Sequence, residues 1–221
     1  MPRFAPATLV QVREPFDHPE FVFELKLDGF RALAFLENGA VSLVSRKGNA
    51  YKAFGDLRAH LSKSIAATSA VLDGEIVCLG PDGRPQFYDL MRRRTPQCFY
   101  AFDILWLNGR DLRDLSLLSR KDALRRVVPT NAAHLRYTEH LESGTELFRA
   151  VCAMDLEGIV AKHKDAPYGI ERSWIKIKNP DYSQAEGRRE LFEGRKPPMS
   201  EGRGSQLNPK MVVGIAPQKS D

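Results

Sequence analysis

The chain has 221 residues, of which 43% are hydrophobic and 28% are charged, and its formal net charge is +5, with a pI near 9.1. This composition is typical of a globular protein and compatible with a polyanionic partner, and no apolar run approaches the roughly 20 residues of a membrane span. Residues 1–6 lack the apolar core of a signal peptide, so a cytoplasmic protein is expected. The widely spaced cysteines predict neither disulfides nor a zinc site.

The N-terminal part of the chain predicts a strand, a hairpin and a helix. Residues 20–28 interleave apolar and charged side chains, which predicts a strand. Residues 31–46 predict a hairpin, because the turn pair Asn38-Gly39 separates two alternating runs. Apolar residues at helical spacing predict a surface helix over 51–67.

The rest of the chain predicts an α+β protein without the regular strand–helix alternation of a doubly wound sheet. Residues 99–107 form a nearly continuous apolar run, so a buried strand is expected there. Ser119 is a candidate N-cap for a helix that ends at Val128. The other predicted elements are strands at 71–79, 135–138, 159–162 and 174–178 and helices at 87–94 and 145–154.

The composition changes after residue 186. Residues 187–221 are rich in Gly, Pro, Arg, Lys and Ser, which predicts little packed structure. Only residues 211–215 offer a candidate short strand. The expected organisation is one domain over residues 1–186, followed by a basic tail over residues 187–221.

Lys26 is the first candidate functional residue, because it lies within an alternating apolar segment and is followed by Asp28, Gly29 and Arg31. Burying an unpaired ammonium group is costly. A lysine that neighbouring cations hold in its amine form can act as a nucleophile. Taken alone, however, Lys26 is better explained as a strand lysine paired with Asp28 or Glu24.

Further charged residues lie in strand-like apolar sequence. Lys176 and Lys178 are two residues apart, so a strand points both to one face. Glu157 and Lys162 are five apart and serve one site only if Gly158 bends the chain. Each such segment alone has a simpler explanation as a turn, an edge strand or an exposed hairpin charge.

Together, these residue types suit nucleotidyl transfer. Lysines and arginines would hold phosphates and offset the charge that develops in the transition state. Carboxylates would bind Mg²⁺ or a ribose hydroxyl. An aromatic ring such as Phe102 would stack on a base, although a core position is its default explanation.

As an ordered set, the segments resemble the motifs of ATP-dependent DNA ligases, and most closely the ligase module of bacterial repair ligases. The resemblance extends over about the first 185 residues. It implies an α+β nucleotidyltransferase fold of the ATP-grasp-like DNA ligase type, with two packed antiparallel sheets flanked by helices and ATP between the sheets. The matching motifs are Lys26-x-Asp28-Gly29-x-Arg31, Ser45-Arg46, Asp73-Gly74-Glu75, Ala101-Phe102-Asp103, Glu157-Gly158-Ile159-Val160-Ala161-Lys162 and Trp174-x-Lys176-x-Lys178.

The resemblance implies five catalytic residues. Lys26 would attack the α-phosphate of ATP and carry AMP as a phosphoramidate. Asp28 would shape the turn that holds the nucleophile, and Arg31 would reach the nucleotide or the nick. Lys176 and Lys178 would grip the α-phosphate.

The resemblance also implies ligands for the nucleotide and for Mg²⁺ or Mn²⁺. Glu24 would lie along the adenine pocket, Phe102 would stack on adenine, and Arg46 resembles the arginine that holds the 5′-phosphate of the nick. Glu75 would contact the ribose, and Glu75 and Glu157 would bind the metal ion. The implied nucleotide-binding residues are Glu24, Lys26, Arg31, Arg46, Glu75, Phe102, Lys162, Lys176 and Lys178.

The expected activity is the sealing of nicked double-stranded DNA, in repair, by a monomer in the bacterial cytoplasm that associates with the nucleoid. Other repair proteins or a separate DNA-binding subunit are candidate partners, and no membrane partner is expected. Ligases of this family continue into an OB-fold domain, and the sequence after Lys178 has too little strand pattern to build one. Lysine adenylation and DNA grip are therefore expected to be the weakest steps. The alternatives are an RNA ligase and a non-catalytic protein that binds DNA ends.

Overall fold

The structure, a computed structural model, describes residues 1–94 and 96–185. The strands are β1 Val10–Val12, β2 Phe21–Leu25, β3 Phe30–Glu37, β4 Ala40–Ser45, β5 Ala70–Cys78, β6 Gln97–Leu107, β7 Arg110–Asp111, β8 Leu135–Tyr137, β9 His140–Leu141, β10 Gly158–His163 and β11 Trp174–Lys178. The helices are α1 Gly55–Ser64, α2 Phe87–Met91, α3 Leu117–Val127 and α4 Gly144–Ala153, with a 3₁₀ turn at Ser183–Ala185. The predicted tail, residues 187–221, and its candidate strand at 211–215 lie outside the described residues, so the boundary at residue 186 stays a prediction.

The strands form two sheets. The first sheet has the order β1-β11-β10-β2-β9, and the second has the order β4-β3-β5-β6-β7, with β8 also paired to β6. Most neighbours are antiparallel, as predicted, but β1 pairs with β11 and β8 pairs with β6 in parallel. Among the described residues, no helix has the length and apolar character needed to cross a membrane.

The local signals in the sequence correspond to most of these elements. Asn38 and Gly39 have φ angles of 51° and 73°, which suit the tight turn of the predicted β3–β4 hairpin. The predicted start of α3 at Ser119 is wrong. Ser116 is the N-cap, because its side chain accepts a hydrogen bond from the Ser119 backbone N–H, and the helix begins at Leu117.

Each sheet buries one face beneath helices. In the first sheet, Phe23, Ile159 and Ile177 form a core with Val151 of α4. In the second sheet, alternate residues of β3 and β5 pack with α1 and α3. Because side chains alternate along a strand, the charged residues between these core positions lie on the opposite face of each sheet.

The loop of residues 26–29 links β2 of the first sheet to β3 of the second. The Lys26 backbone N–H donates to the Gly158 carbonyl oxygen at 2.9 Å, which fixes the start of the loop on the first sheet. At the other end, a Cβ on Gly29 would lie 2.1 Å from the carbonyl oxygen of Ile76 in β5. The loop is therefore held closely by both sheets.

Candidate active site

The inner face of the first sheet carries the predicted cations. Glu24 pairs with Val160 across β2 and β10, and Val160 pairs with Lys176 across β10 and β11. Lys162 lies opposite Trp174 in the same ladder. Directly paired residues share a face, so these side chains all point away from α4.

A bulge in the second sheet brings Phe102 to the same cleft. Asp73 pairs with Asp103, but Gly74 pairs with Ala101, which leaves Phe102 as an extra residue in β6. Its ring lies 5.7 Å from the ring of Trp174 in the first sheet. The two inner faces therefore meet around this aromatic pair.

Lys26 lies where the loop joins the two sheets. Its Nζ donates to Glu157 Oε2 at 2.6 Å, and Lys178 Nζ lies 3.8 Å from the other oxygen of the same carboxylate. Gly158 has a φ of 151°, and a Cβ there would lie 2.2 Å from the Ile177 carbonyl oxygen. Glycine at this position thus allows Glu157 to reach Lys26, while Lys162 reaches Glu24 farther along the same strand.

Lys26 and three further cations converge and would suit a polyphosphate. Partial burial holds the pKa of Lys176 below its ordinary value, and the neighbouring Lys178, Lys26 and Arg46 lower it further. Four positive groups without a matching number of carboxylates form an electrostatic site for an anion. Arg46, an exposed residue directly after β4 of the second sheet, is near enough to Lys176 to act on its pKa.

Glu75 and Glu157 lie close enough for their charges to interact. Part of the Glu75 surface is open, yet burial raises the pKa of this carboxyl to about 8, an effect that Lys26 and Arg31 oppose and Glu157 and Asp73 reinforce. Two carboxylates fit Mg²⁺, which takes oxygen ligands and usually keeps water or substrate phosphate as well. Within residues 1–94 and 96–185, no cluster of three or more His, Cys, Asp and Glu side chains is arranged to hold a metal ion.

Asp28 holds the loop through a contact with the C-terminal part of the described chain. Its buried carboxylate accepts a hydrogen bond from the Tyr182 hydroxyl at 2.8 Å. Burial raises the pKa of Tyr182, so this hydroxyl stays protonated and able to donate. Sequence reasoning did not single out Tyr182, because its partner lies 154 residues away.

Arg31 is held beneath the aromatic pair. Its guanidinium donates to both oxygens of Asp73 at 3.1 and 2.7 Å and to the Ala7 carbonyl oxygen at 2.7 Å. It also lies 5.6 Å from the centre of the Phe102 ring. The contact of Arg31 with the nucleotide or the nick stays a prediction, and the contacts seen here give Arg31 a supporting role.

Glu24 is buried between two lysines. Lys162 Nζ lies 2.6 Å from one carboxylate oxygen, and Lys121 Nζ of α3 donates to the other at 2.5 Å. Lys162 Nζ also lies 4.4 Å from the centre of the Phe102 ring. Lys121 was not predicted as a site residue, because a lysine on an amphipathic surface helix is expected to point into solvent.

Known proteins are similar to this chain in sequence. The family model for the ATP dependent DNA ligase domain matches residues 6–178. The chain is 32% identical over 190 residues to the multifunctional non-homologous end joining protein LigD of Pseudomonas aeruginosa, covering 80% of this chain and 22% of that protein. It is 33% identical over 180 residues to a probable DNA ligase of Mycobacterium marinum, covering 71% of this chain and 34% of that protein.

A solved structure supports the same relationship. Mycobacterial DNA ligase D complexed with ATP and MES matches with a TM-score of 0.70 and 32% identity, over 79% of this chain and 60% of that chain. The match confirms the predicted nucleotidyltransferase fold. The chain spans between 22% and 34% of the length of the two curated relatives. By the family match, the motifs and the fold together, the chain belongs to the family of ATP-dependent DNA ligase domains.

Proposed function

We propose that this chain transfers AMP from ATP to Lys26 and then to the 5′-phosphate of a DNA nick, which it seals. The observation that carries the proposal is the position of Lys26, at the junction of two sheets and beside Lys176, Lys178 and Arg46. A nucleophile next to an anion-binding cluster is the arrangement that phosphoryl-group transfer requires.

The first step joins the Lys26 nitrogen to the α-phosphorus and breaks the bond from that phosphorus to the pyrophosphate oxygen. Lys26 must first lose a proton, and Glu157 Oε2, 2.6 Å from Nζ, is the acceptor in reach. Lys176 and Lys178 offset the charge that develops on the α-phosphate. Phe102 would stack on the base, with Glu24 and Lys162 at its edge.

Mg²⁺ is the proposed metal, held by Glu75 and Glu157, and it would neutralise phosphate charge during transfer. Mn²⁺ would suit the same carboxylates. The metal ion would therefore compete with two lysines for Glu157, because this carboxylate neutralises Lys26 and lies near Lys178. Transfer of the Lys26 proton to Glu157 would end this ion pair, and the proton would pass on to water before the Glu157 carboxylate binds the metal ion.

The proposed substrate is nicked double-stranded DNA, and the proposed setting is repair in the bacterial cytoplasm, with a monomeric protein associated with the nucleoid. The net charge of +5 supports a polyanionic partner. The end-joining role of the LigD relatives supports DNA repair as the process. Other repair proteins or a separate DNA-binding subunit are the proposed partners.

Incubation with α-labelled ATP and Mg²⁺ tests the first step. We expect an acid-labile, alkali-stable adduct that Lys26→Ala does not form, because the attacking nitrogen is gone. The matched control is Lys47→Ala, which removes an exposed lysine and should leave the adduct intact. Absence of the adduct from the wild-type protein, together with no sealing of a pre-adenylated nick, would exclude the enzymatic function and favour a DNA-end-binding role.

The choice of polynucleotide needs a separate comparison. Nicked DNA, nicked RNA and mixed duplexes, each pre-adenylated, should be sealed at rates that favour the DNA substrate. Preferential sealing of nicked RNA would identify an RNA ligase instead.

A further inference from the structure

Beside Glu24, where the base of the nucleotide is proposed to bind, lies a lysine that belongs to none of the motifs. Lys121 is 1% exposed, although it lies on α3, a surface helix. Its Nζ donates to Glu24 Oε1 at 2.5 Å and to the Thr138 carbonyl oxygen at 3.0 Å, and it lies 4.7 Å from the centre of the Tyr137 ring. These contacts fix the ammonium group on three sides.

The two lysines around Glu24 differ in how firmly they are held. Lys162 Nζ lies 2.6 Å from Glu24 Oε2 and is held by this one carboxylate, whereas Lys121 Nζ is held by Glu24 and by the Thr138 carbonyl oxygen. Burial lowers the pKa of Lys162 to about 8, with Glu24 opposing the shift and Lys121 adding to it. In Lys121, burial acts in the same direction, but the attraction of Glu24 outweighs it and the pKa is raised. Lys121 is thus the cation that stays paired with Glu24, and Lys162 is the cation that a bound nucleotide can displace from Glu24.

The polar atoms left unpaired in this region point to a ligand. Among the described residues, the buried side-chain nitrogen and oxygen atoms without a hydrogen-bond partner are Thr138 Oγ1, His140 Nδ1 and Lys162 Nζ. His140 pairs with Glu24 across β9 and β2, and Lys162 contacts Glu24 directly. Thr138 supplies the carbonyl oxygen that holds Lys121. Lys162 is ion-paired with Glu24, which leaves Thr138 Oγ1 and His140 Nδ1 as the atoms with no partner of any kind. Buried polar groups are nearly always paired, so these two atoms beside Glu24 indicate that a polar molecule completes this site.

We propose that Lys121 is a positioning residue that locks Glu24 by one oxygen, so that the other accepts a hydrogen bond from the 6-amino group of a purine. The inference rests on the proposed function and deepens it, because it names what sets the choice of nucleotide. A carboxylate fixed in this way accepts from a 6-amino group and repels the oxygen of a 6-oxo purine. Without Lys121, Glu24 turns toward Lys162 and the distinction weakens.

The test compares ATP with ITP, which carries a 6-oxo group. The rate of labelled adduct formation is measured with each nucleotide for the wild-type protein and for Lys121→Met. Methionine keeps a long unbranched side chain at this position and removes its charge. We expect the ATP preference, as the ratio of kcat/KM values, to fall about tenfold or more, the usual worth of a hydrogen bond to a charged group. The change should appear mainly in KM for ATP.

Two variants separate positioning from loss of stability. Lys121→Arg keeps a cation for Glu24 and should restore most of the preference. Arg120→Met is the matched control, because Arg120 is the neighbouring buried cation on α3 and pairs with Asp103 instead of Glu24. Arg120→Met should lose stability but keep the ratio of ATP to ITP. An unchanged ratio in Lys121→Met, or an equal fall in Arg120→Met, would overturn the proposal.

A double variant covers the case in which Lys121→Met does not fold. Glu24→Gln combined with Lys121→Met removes both charges, which is better tolerated than one uncompensated buried charge. Because Lys121 acts through Glu24, the double variant should show the same ratio as Glu24→Gln alone, and a further fall would contradict the proposal.

A binding measurement keeps this inference distinct from the proposed function. Calorimetry with AMP and IMP on the wild-type protein and on the Lys121 variants needs no adduct. If the wild-type protein forms no adduct but binds AMP more tightly than IMP in a manner that depends on Lys121, the proposed activity fails and the inference stands. Equal affinities for AMP and IMP in the wild-type protein would overturn it.

Discussion

Lys26 and Glu157 form the ion pair on which the proposed chemistry depends. The Lys26 side chain is 20% exposed and that of Glu157 is 9% exposed, so water screens the pair only in part. Because Lys178 lies near the same carboxylate, Glu157 is shared between two cations. Lys26, the proposed nucleophile, is therefore neutralised in this structure by a carboxylate that it must leave before it can attack.

Glu75 gives a pH-dependent prediction for stability. Its pKa of about 8 lies above the ordinary 4.5, so the folded protein binds a proton that the unfolded chain releases at lower pH. The stabilisation is present below pH 4.5 and is lost as the pH rises through about 8. We expect Glu75→Gln to stabilise the protein relative to wild type by a few kcal/mol at pH 9 and by much less at pH 5, measured by urea unfolding with EDTA present.

The control for this prediction is Glu37→Gln, which changes an exposed carboxylate at the end of β3. Its effect on stability should be small and similar at both pH values. A constant difference between Glu75→Gln and wild type from pH 5 to pH 9 would show that Glu75 does not titrate in this range.

At the level of elements, the connection from β2 to β3 determines where the nucleophile lies. Gly29→Ala would place a Cβ 2.1 Å from the Ile76 carbonyl oxygen, so the loop or β5 must move. We expect a loss of about 3 kcal/mol in the free energy of unfolding, at the upper end for overpacking. Adduct formation should fall as well, because the loop carries Lys26.

Gly55→Ala is the matched control at the first residue of α1. The nearest atom that its Cβ would meet is the Arg58 side chain at 3.9 Å, and alanine favours the helix. Gly55→Ala should leave the free energy of unfolding unchanged or raise it slightly. Equal unfolding free energies for the two variants would contradict the close contact of Gly29 with β5.

The elements that the sequence predicts are those with local signals. The β3–β4 hairpin follows from Asn38-Gly39, and the buried strand β6 follows from its apolar run. The two- and three-residue strands β1, β7 and β9 were not predicted, because such short strands have no periodicity. β1 and β9 form only through the distant strands β11 and β2, whereas β7 pairs with β6 across the turn Asn108-Gly109. The capping error at α3 has a similar cause, since two serines three residues apart carry the same local signal.

The motifs include the candidate site residues near Lys26, but they do not include the residues that support them. Lys121 is 97 residues from Glu24 in sequence, and its role depends on the packing of α3 against β6. Tyr182 likewise reaches Asp28 only after the chain has returned along β11. Tertiary contacts of this kind have no signature in a single sequence.

At the scale of the whole molecule, one polar network joins the two sheets. The Tyr168 hydroxyl donates to Asp73 in β5 at 2.6 Å and accepts from the backbone N–H of Ala7, ahead of β1, at 2.8 Å. Arg31 in β3 completes it through Asp73 and the Ala7 carbonyl oxygen. The network ties the N-terminal segment and the β10–β11 loop to the second sheet.

Tyr168→Phe tests this network. Removal of the hydroxyl leaves the buried Ala7 N–H without its partner and takes one donor from Asp73, so we expect a loss of about 2 kcal/mol in the free energy of unfolding. Denaturant unfolding measures this free energy. The control Tyr100→Phe removes a hydroxyl outside the network and should lower the free energy of unfolding by less. Equal losses for both variants would show that the network does not add to stability.

The strand β2 has a consequence for the nucleotide that the cleft accepts. Glu24 lies in β2, and Lys26 follows it by two residues at the start of the loop, where its backbone N–H is still bonded to Gly158, so extended backbone spaces the two residues by about 7 Å. In the proposed complex, one of them meets the base and the other meets the α-phosphate. The segment thus fixes the distance between the group that contacts the base and the group that contacts the α-phosphate, and backbone geometry sets that distance. A single inserted residue would turn one of the two side chains to the opposite face, so the spacing cannot change gradually.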